Sequence, residues 1–188
     1  MGDLFHKWQM WMMVRGSAEI IPRRVPGGRL ERYNDRFILL KLAFFALNLH
    51  HFRASDPDVP HDHPWWNVSF IVHGIVDEVG ADGRTRRLKR FRPYFRKAGE
   101  FHRLVLISDD AWSLFFHGRH TRQWGFMDWE RGYWTPAPEF LAKHRLPTVP
   151  AHPKVRYGFF AKTTYPGHGH YFKDVLDRIS LERNTTFV

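Results

Sequence analysis

Residues 60–70 read PHDHPWWNVSF and set two histidines one residue apart at the head of an apolar, β-prone run. In an extended segment His61 and His63 project to one face, and Trp65, Asn67 and Ser69 continue it. Trp66, Val68, Phe70 and Val72 fill the other face. A divalent ion wants at least three converging ligands, and a hydrogen-bonded polar pair explains two imidazoles equally well. The third must come from elsewhere. His102 opens the later run HRLVLI just after the turn-forming Ala98-Gly99, which makes it the best placed histidine. His73 shares the parity of the pair and is a candidate to line the same pocket further along.

Around this segment the chain gives a series of short β-rich pieces between residues 36 and 129: FILLKLAFFALNLHHF, WNVSFIVHGIVDEV, LKRFRPYF, HRLVLI, AWSLFFHG and RQWGFMDW. Asp-Pro, Val-Pro, Gly80 to Gly83, Ala98-Gly99 and Ser108-Asp109-Asp110 punctuate them with turn chemistry. Many short strands at this spacing predict a sandwich or barrel. Upstream, Leu4, Trp8, Trp11 and Met12 fall at helical spacing, so residues 3–14 are expected to form a short amphipathic helix against the core. A short helix is also expected over residues 139–144. The Pro-interrupted connection LPTVPAHP follows, then a tail helix over residues 171–181. The whole reads as one domain of 188 residues, with an N-terminal arm (1–35), a barrel core (36–135) and a C-terminal extension (136–188).

The chain has no cysteine, which excludes disulfides, thiolate metal sites and cysteine nucleophiles. Any metal or redox chemistry must rest on His, Asp, Glu or a cofactor. The start MGDLFHKWQMWMMVRG lacks the uninterrupted apolar core of a signal peptide, and Lys41 and Asn48 break residues 37–49 before they could span a bilayer. A cytoplasmic protein without a membrane partner is therefore expected. Net charge is +10, from 29 Lys and Arg against 19 Asp and Glu, which favours anionic partners. Residues 83–103 hold nine basic residues and one acid. Such a block is either a solvated strand pair or a cationic wall suited to carboxylate, phosphate or nucleic acid. No phosphate loop, nucleophile elbow or zinc-finger spacing is present.

The run HDHPWWNVSFIVHG, followed by AGEFH, resembles the two motifs of the cupin superfamily. His61, His63 and Gly74 fit the first motif, with Asn67 at its glutamate position and Ser55 at its opening glycine. Gly99 and His102 fit the second, whereas Phe91, Lys97 and Leu106 stand where that motif has glycine, proline and asparagine. More narrowly, HDHPW, SFIV, GEFHR and RQWGF look like a group of uncharacterised bacterial and phage cupins. The resemblance covers residues 47–134 and implies an all-β core: a double-stranded β-helix barrel, or jelly roll, with short helical decorations. It also implies a metal held by His61, His63 and His102, and a homodimer.

With Asn67 in place of glutamate, the implied site has three neutral ligands and open positions for water or substrate. Cupins of that kind include dioxygenases using ferrous iron, so Fe(II) is the expected ion, with Zn, Ni or Mn as alternatives. The expected chemistry is oxidation of a small anionic molecule, ahead of isomerase or lyase chemistry. Asn67 and Glu100 are the candidate catalytic groups: Asn67 through its amide or a metal-bound water, Glu100 as a rival fourth ligand. Trp65, Ser69, His73, Arg90, Arg92, Arg122 and Trp124 are candidate substrate contacts, with Arg90 or Arg92 orienting the acid group. His50, His51, His117, His120, His168 and His170 read as surface hydrogen-bonding groups. The competing reading is a barrel without a metal that binds or senses an anionic ligand, or nucleic acid through residues 83–103.

Overall fold

The computed structural model describes residues 4, 7–9, 11–12, 18–24, 29–128, 132–144 and 157–158. The LPTVPAHP connection, the tail helix expected over 171–181, and His168 and His170 lie outside them. The described chain is built of antiparallel strands: β1 (Ala18–Arg24), β2 (Leu30–Lys41), β3 (Ala46–Phe52), β4 (Asn67–His73), β5 (Val76–Gly80), β6 (Thr85–Leu88), β7 (Tyr94–Arg96), β8 (His102–Leu106), β9 (Ala111–His117), β10 (Gly125–Asp128), β11 (Tyr133–Pro136) and β12 (Tyr157–Gly158). One helix, α1 (Ala137–Lys143), follows β11 and starts two residues before the expected 139. Leu4, residues 7–9, Trp11 and Met12 are helical too, as the arm's periodicity predicts.

The larger sheet runs β1-β2-β3-β9-β4-β7, with β12 also paired to β2. A second sheet runs β6-β5-β8, and the β10-β11 hairpin joins it through His61, which bridges to His102 on one side and Phe126 on the other. Sequence-distant neighbours such as β3-β9 and β9-β4 are the crossovers of a jelly roll. β1 and the first half of β2 lie within residues 18–35, so this part of the expected arm belongs to the sheet.

Cross-strand register divides the barrel interior into layers. Phe52 pairs with Ala111, and from the central β9 Ser113 pairs with His50 and Ile71, Phe115 with Asn48 and Ser69, and His117 with Ala46 and Asn67. Phe52, Ile71 and Ala111 meet Val76 and Leu88 of the facing sheet and close one end with an apolar core. The other end is polar and carries the histidines. On the outer side of the large sheet, Met12 is wholly buried with Ala18, Ile20, Leu30 and Phe37, while Trp8, Leu49 and Trp112 pack around them. Burying side chains of this size stabilises by about 1.5–3 kcal/mol each. Leu4 and Trp11, expected on the same apolar side, are exposed instead. The large sheet is thus covered on both faces, which is why the consecutive His50 and His51 are both buried rather than at the surface.

Both motif glycines sit at positive φ, Gly74 at 81° and Gly99 at 80°. Gly74 turns β4 into β5, and a Cβ there would overlap Asp110 O and Ala111. Strain and overlap act together, so Gly74→Ala is expected to lower unfolding free energy by about 2 kcal/mol or more, measured by urea denaturation. An unchanged midpoint would contradict this packing.

Candidate metal centre

The segment before β4 is not a strand. It is a connection stitched between two others by its backbone. His61 N donates to His102 O, and His102 N donates back to His61 O, each at 3.0 Å. Met127 N reaches Pro60 O at 2.9 Å, Asp62 N reaches Gly125 O at 3.1 Å, and Gly99 N reaches His63 O at 3.1 Å. Buried Asp62, between the two histidines, locks the arrangement: its carboxylate accepts from Gly125 N at 2.7 Å and from Arg122 Nη1. His61 and His63 therefore turn the same way while Asp62 turns away.

These bonds bring three imidazoles together. Ring centroids lie 5.0 Å apart for His61–His63, 4.9 Å for His61–His102 and 5.1 Å for His63–His102. One ring nitrogen from each falls within 4.8 Å of the others. Burial pushes His63 and His102 well below the ordinary histidine value, and the neighbouring His61 and the cationic Arg96 lower both further. Both rings are therefore neutral at pH 7 and keep a lone pair, the form a metal requires. His61 Nδ1 faces the buried Asp56 carboxylate at 3.7 Å. Asp56 is itself held by Tyr33 Oη and, at 2.6 Å, by Leu104 N. With Nδ1 on the side of this carboxylate, the His61 Nε2 lies on the opposite edge of the ring. This donor set could hold a divalent ion.

Asn67, at the expected glutamate position, does not join the three. Its Oδ1 is turned to Arg96, which donates from Nη1 at 3.3 Å. Arg96 is 2% exposed, donates from Nη1 to Ser69 Oγ at 2.8 Å, and ion-pairs through Nε with buried Glu78 of the facing sheet. Glu78 also accepts from Arg86 at 2.6 Å. Arg96 is the group that reading the sequence missed. It lies in the basic block, where Arg90 and Arg92 were the expected ligand contacts; both of those are exposed. Residues 89–93 form a turn between β6 and β7, so side-chain parity does not carry through it, and only after the turn does β7 aim Tyr94 and Arg96 inward.

Trp65 forms a wall, stacked on His117 at 4.0 Å and lying 6.4 Å from His63. Phe115 lies between His50 at 4.9 Å and His63 at 5.7 Å. Burial holds His50 well below its ordinary value and His117 down at about 4, so neither is the surface group expected. His120 is exposed as expected.

Four other expectations change. Glu100 is exposed and accepts from Lys97 N at 3.0 Å, closing the turn before β8, so it is no fourth ligand. His73 is exposed beside Asp110 at 3.5 Å, because a bulge between Ile71 and His73 breaks the strand's alternation. Arg122 is taken up by Asp62. Trp124 packs on Phe126 at 5.6 Å. Trp66 lies on the outer face, 5.5 Å from Phe116 and 6.3 Å from Phe95.

No family model and no curated protein matches the chain. Solved structures of double-stranded β-helix proteins are similar at low identity. An uncharacterised conserved protein with such a domain from Klebsiella pneumoniae is 14% identical, covers 56% of this chain and 90% of its own, and has a TM-score of 0.44. A cupin domain from Bordetella pertussis is 17% identical over 46% of this chain and 94% of its own, with a TM-score of 0.40. The DMSP lyase DddQ from Ruegeria pomeroyi is 18% identical over 53% of this chain and 56% of its own, with a TM-score of 0.43. The jelly-roll assignment rests on the strand order and register described above.

The buried neutral histidines carry a pH signature. Below about pH 6.5 the unfolded chain takes up protons that folded His50, His63, His102 and His117 refuse, so metal-free stability must fall as the medium is acidified. Replacing His50 by Phe removes one such proton and should make the fall between pH 6.5 and 5 shallower in denaturant titrations. An unchanged slope would contradict a buried, neutral His50.

Proposed function

We propose that the chain is a metal-dependent enzyme that oxidises a small anionic substrate with dioxygen at the His61–His63–His102 centre. The observation that supports this most is the charge of the donor set: three imidazoles, with the one side chain at the glutamate position neutral and turned to an arginine. A bound divalent ion, Fe(II) for this chemistry, would bring two uncompensated positive charges and open positions for substrate and oxygen. The chain's residues provide the rest. Asp56 orients His61, the His61–His102 backbone pair fixes the spacing, and Trp65 and Phe115 flank His63 with apolar surface.

Oxidation is preferred to lyase or isomerase chemistry because the buried carboxylates that could take a proton from carbon are not free. Each buried carboxylate described around the centre is already engaged: Glu78 with Arg96 and Arg86, Asp56 with Tyr33 and Leu104, Asp62 with Arg122 and Gly125. Incorporating both atoms of dioxygen draws all four electrons from the substrate, and this asks no proton relay or external reductant of the protein. Protein purified without a His-tag should carry close to one metal per chain, and His61→Ala and His102→Ala should lose it. The Fe(II) form should consume oxygen with a responsive member of a small-carboxylate panel, and the Zn form should not. Absence of metal under every reconstitution condition overturns the proposal.

A second reading draws on the turn between β6 and β7. Lys89, Arg90 and Arg92 are exposed around Phe91, which is 73% exposed and held at φ 58°, a conformation rare for a bulky residue. Exposed cations beside a presented aromatic suit single-stranded nucleic acid, whose bases stack on rings while its phosphates pair with cations. Binding to a fluorescent oligonucleotide should then weaken steeply between 50 and 200 mM salt, which is about the range where phosphate contacts are lost. No binding at low salt leaves this segment as a solvated turn.

A further inference from the structure

Among the buried donors without an acceptor, two lie on paired residues next to the histidine centre. Arg96 uses Nε on Glu78 and shares Nη1 among Ser69 Oγ, Asn67 Oδ1 and Tyr94 O, while its Nη2 is buried and donates to nothing. Asn67 is wholly buried, and with Oδ1 given to Arg96 its Nδ2 is also without a partner. The amide orientation follows from chemistry, since a guanidinium only donates and so must face the amide oxygen. Burying an N–H with no acceptor costs as much as losing a hydrogen bond, and native interiors rarely leave two such groups together. Asn67 and Arg96 are direct cross-strand partners on the inner face of β4 and β7. Their free donors therefore arise side by side. Ser69, which accepts from Arg96, is the cross-strand partner of Phe115, whose ring lies 5.7 Å from His63.

We propose that Arg96 Nη2 and Asn67 Nδ2 form the subsite that holds the carboxylate of the ligand, resting on the reading of the three histidines as the reacting centre. Donors without acceptors call for an anion, and a carboxylate offers oxygen lone pairs in the plane that guanidinium and amide groups prefer. Local charge sets its valence. Glu78 is shared by Arg96 and Arg86, so two cations face one anion and one positive charge is left for a monoanion rather than a dianionic phosphate. The subsite also gives a reason for asparagine at position 67: a carboxylate there would pair with Arg96 and repel the ligand from its anchor.

Glycolate serves as the carboxylate probe, with its neutral isostere glycolamide as control. Calorimetry is run on Zn-loaded protein and, separately, on EDTA-treated protein. Wild type should prefer glycolate over glycolamide in both forms. Arg96→Lys keeps a cation for Glu78 but loses the second terminal N–H, and should cut glycolate affinity by roughly 10-fold or more with zinc stoichiometry unchanged. Asn67→Asp keeps the shape, strengthens the pairing with Arg96 and should abolish the preference, which tests the subsite even if the lysine variant folds poorly. Equal binding of glycolate and glycolamide by wild type, glycolate affinity unaltered in both variants, or tighter binding of inorganic phosphate would overturn the assignment. Loss of metal binding alone would sink the enzyme reading and leave glycolate binding to the EDTA-treated protein standing.

Discussion

The candidate site depends on one backbone exchange, the reciprocal hydrogen bonds between His61 and His102. A single residue of connection acts there as a strand, paired to β8 on one side and to Phe126 of β10 on the other. The exchange ties the β10-β11 hairpin to the β6-β5-β8 sheet and brings together histidines 41 residues apart in sequence. Asp62 secures the same point from behind, spending its carboxylate on Gly125 N and Arg122 while its neighbours face the interior. The alternation His-Asp-His is thus two candidate ligands and a clamp.

Electrostatics divides the interior as sharply as packing does. One end of the barrel is closed by Phe52, Ile71, Val76 and Leu88. At the other, buried imidazoles are kept neutral by desolvation, and the fixed charges come as pairs: Arg96 with Glu78, and Arg36 with Glu19 at 3.1 Å. Breaking such a pair would strand a buried charge, which costs far more than the pair contributes to stability. These pairs are therefore better understood as holding donors in place than as sources of stability. Arg96 is held through Nε and Nη1, and this fixes where its remaining N–H groups lie.

Much of this was legible in the sequence because it depended on local spacing. Turn residues mark most strand ends, and His61, His63 and His102 were visible through an i,i+2 pair and a Gly-x-x-His after a turn. What stayed hidden depended on breaks in alternation. Arg90, Arg92 and Arg96 share sequence parity, yet the turn over 89–93 resets the register, so only Arg96 points inward. His73 looked like a continuation of the inner face until the bulge after Ile71 turned it out. His50 and His51 seemed surface groups because they stand near Arg53 at a strand end, whereas the N-terminal arm covers the outer side of the sheet and both are buried. Glu100 was read as strand when it belongs to the turn that precedes one.

In the proposed centre, three imidazoles and no protein carboxylate hold the metal ion. X-ray absorption of the Zn-loaded protein tests it directly. Three histidine nitrogens at about 2.0–2.1 Å should appear, completed by water or added anion, and His102→Ala should remove one imidazole from the shell. A shell with fewer than three imidazoles, or one containing a protein carboxylate, would contradict the account.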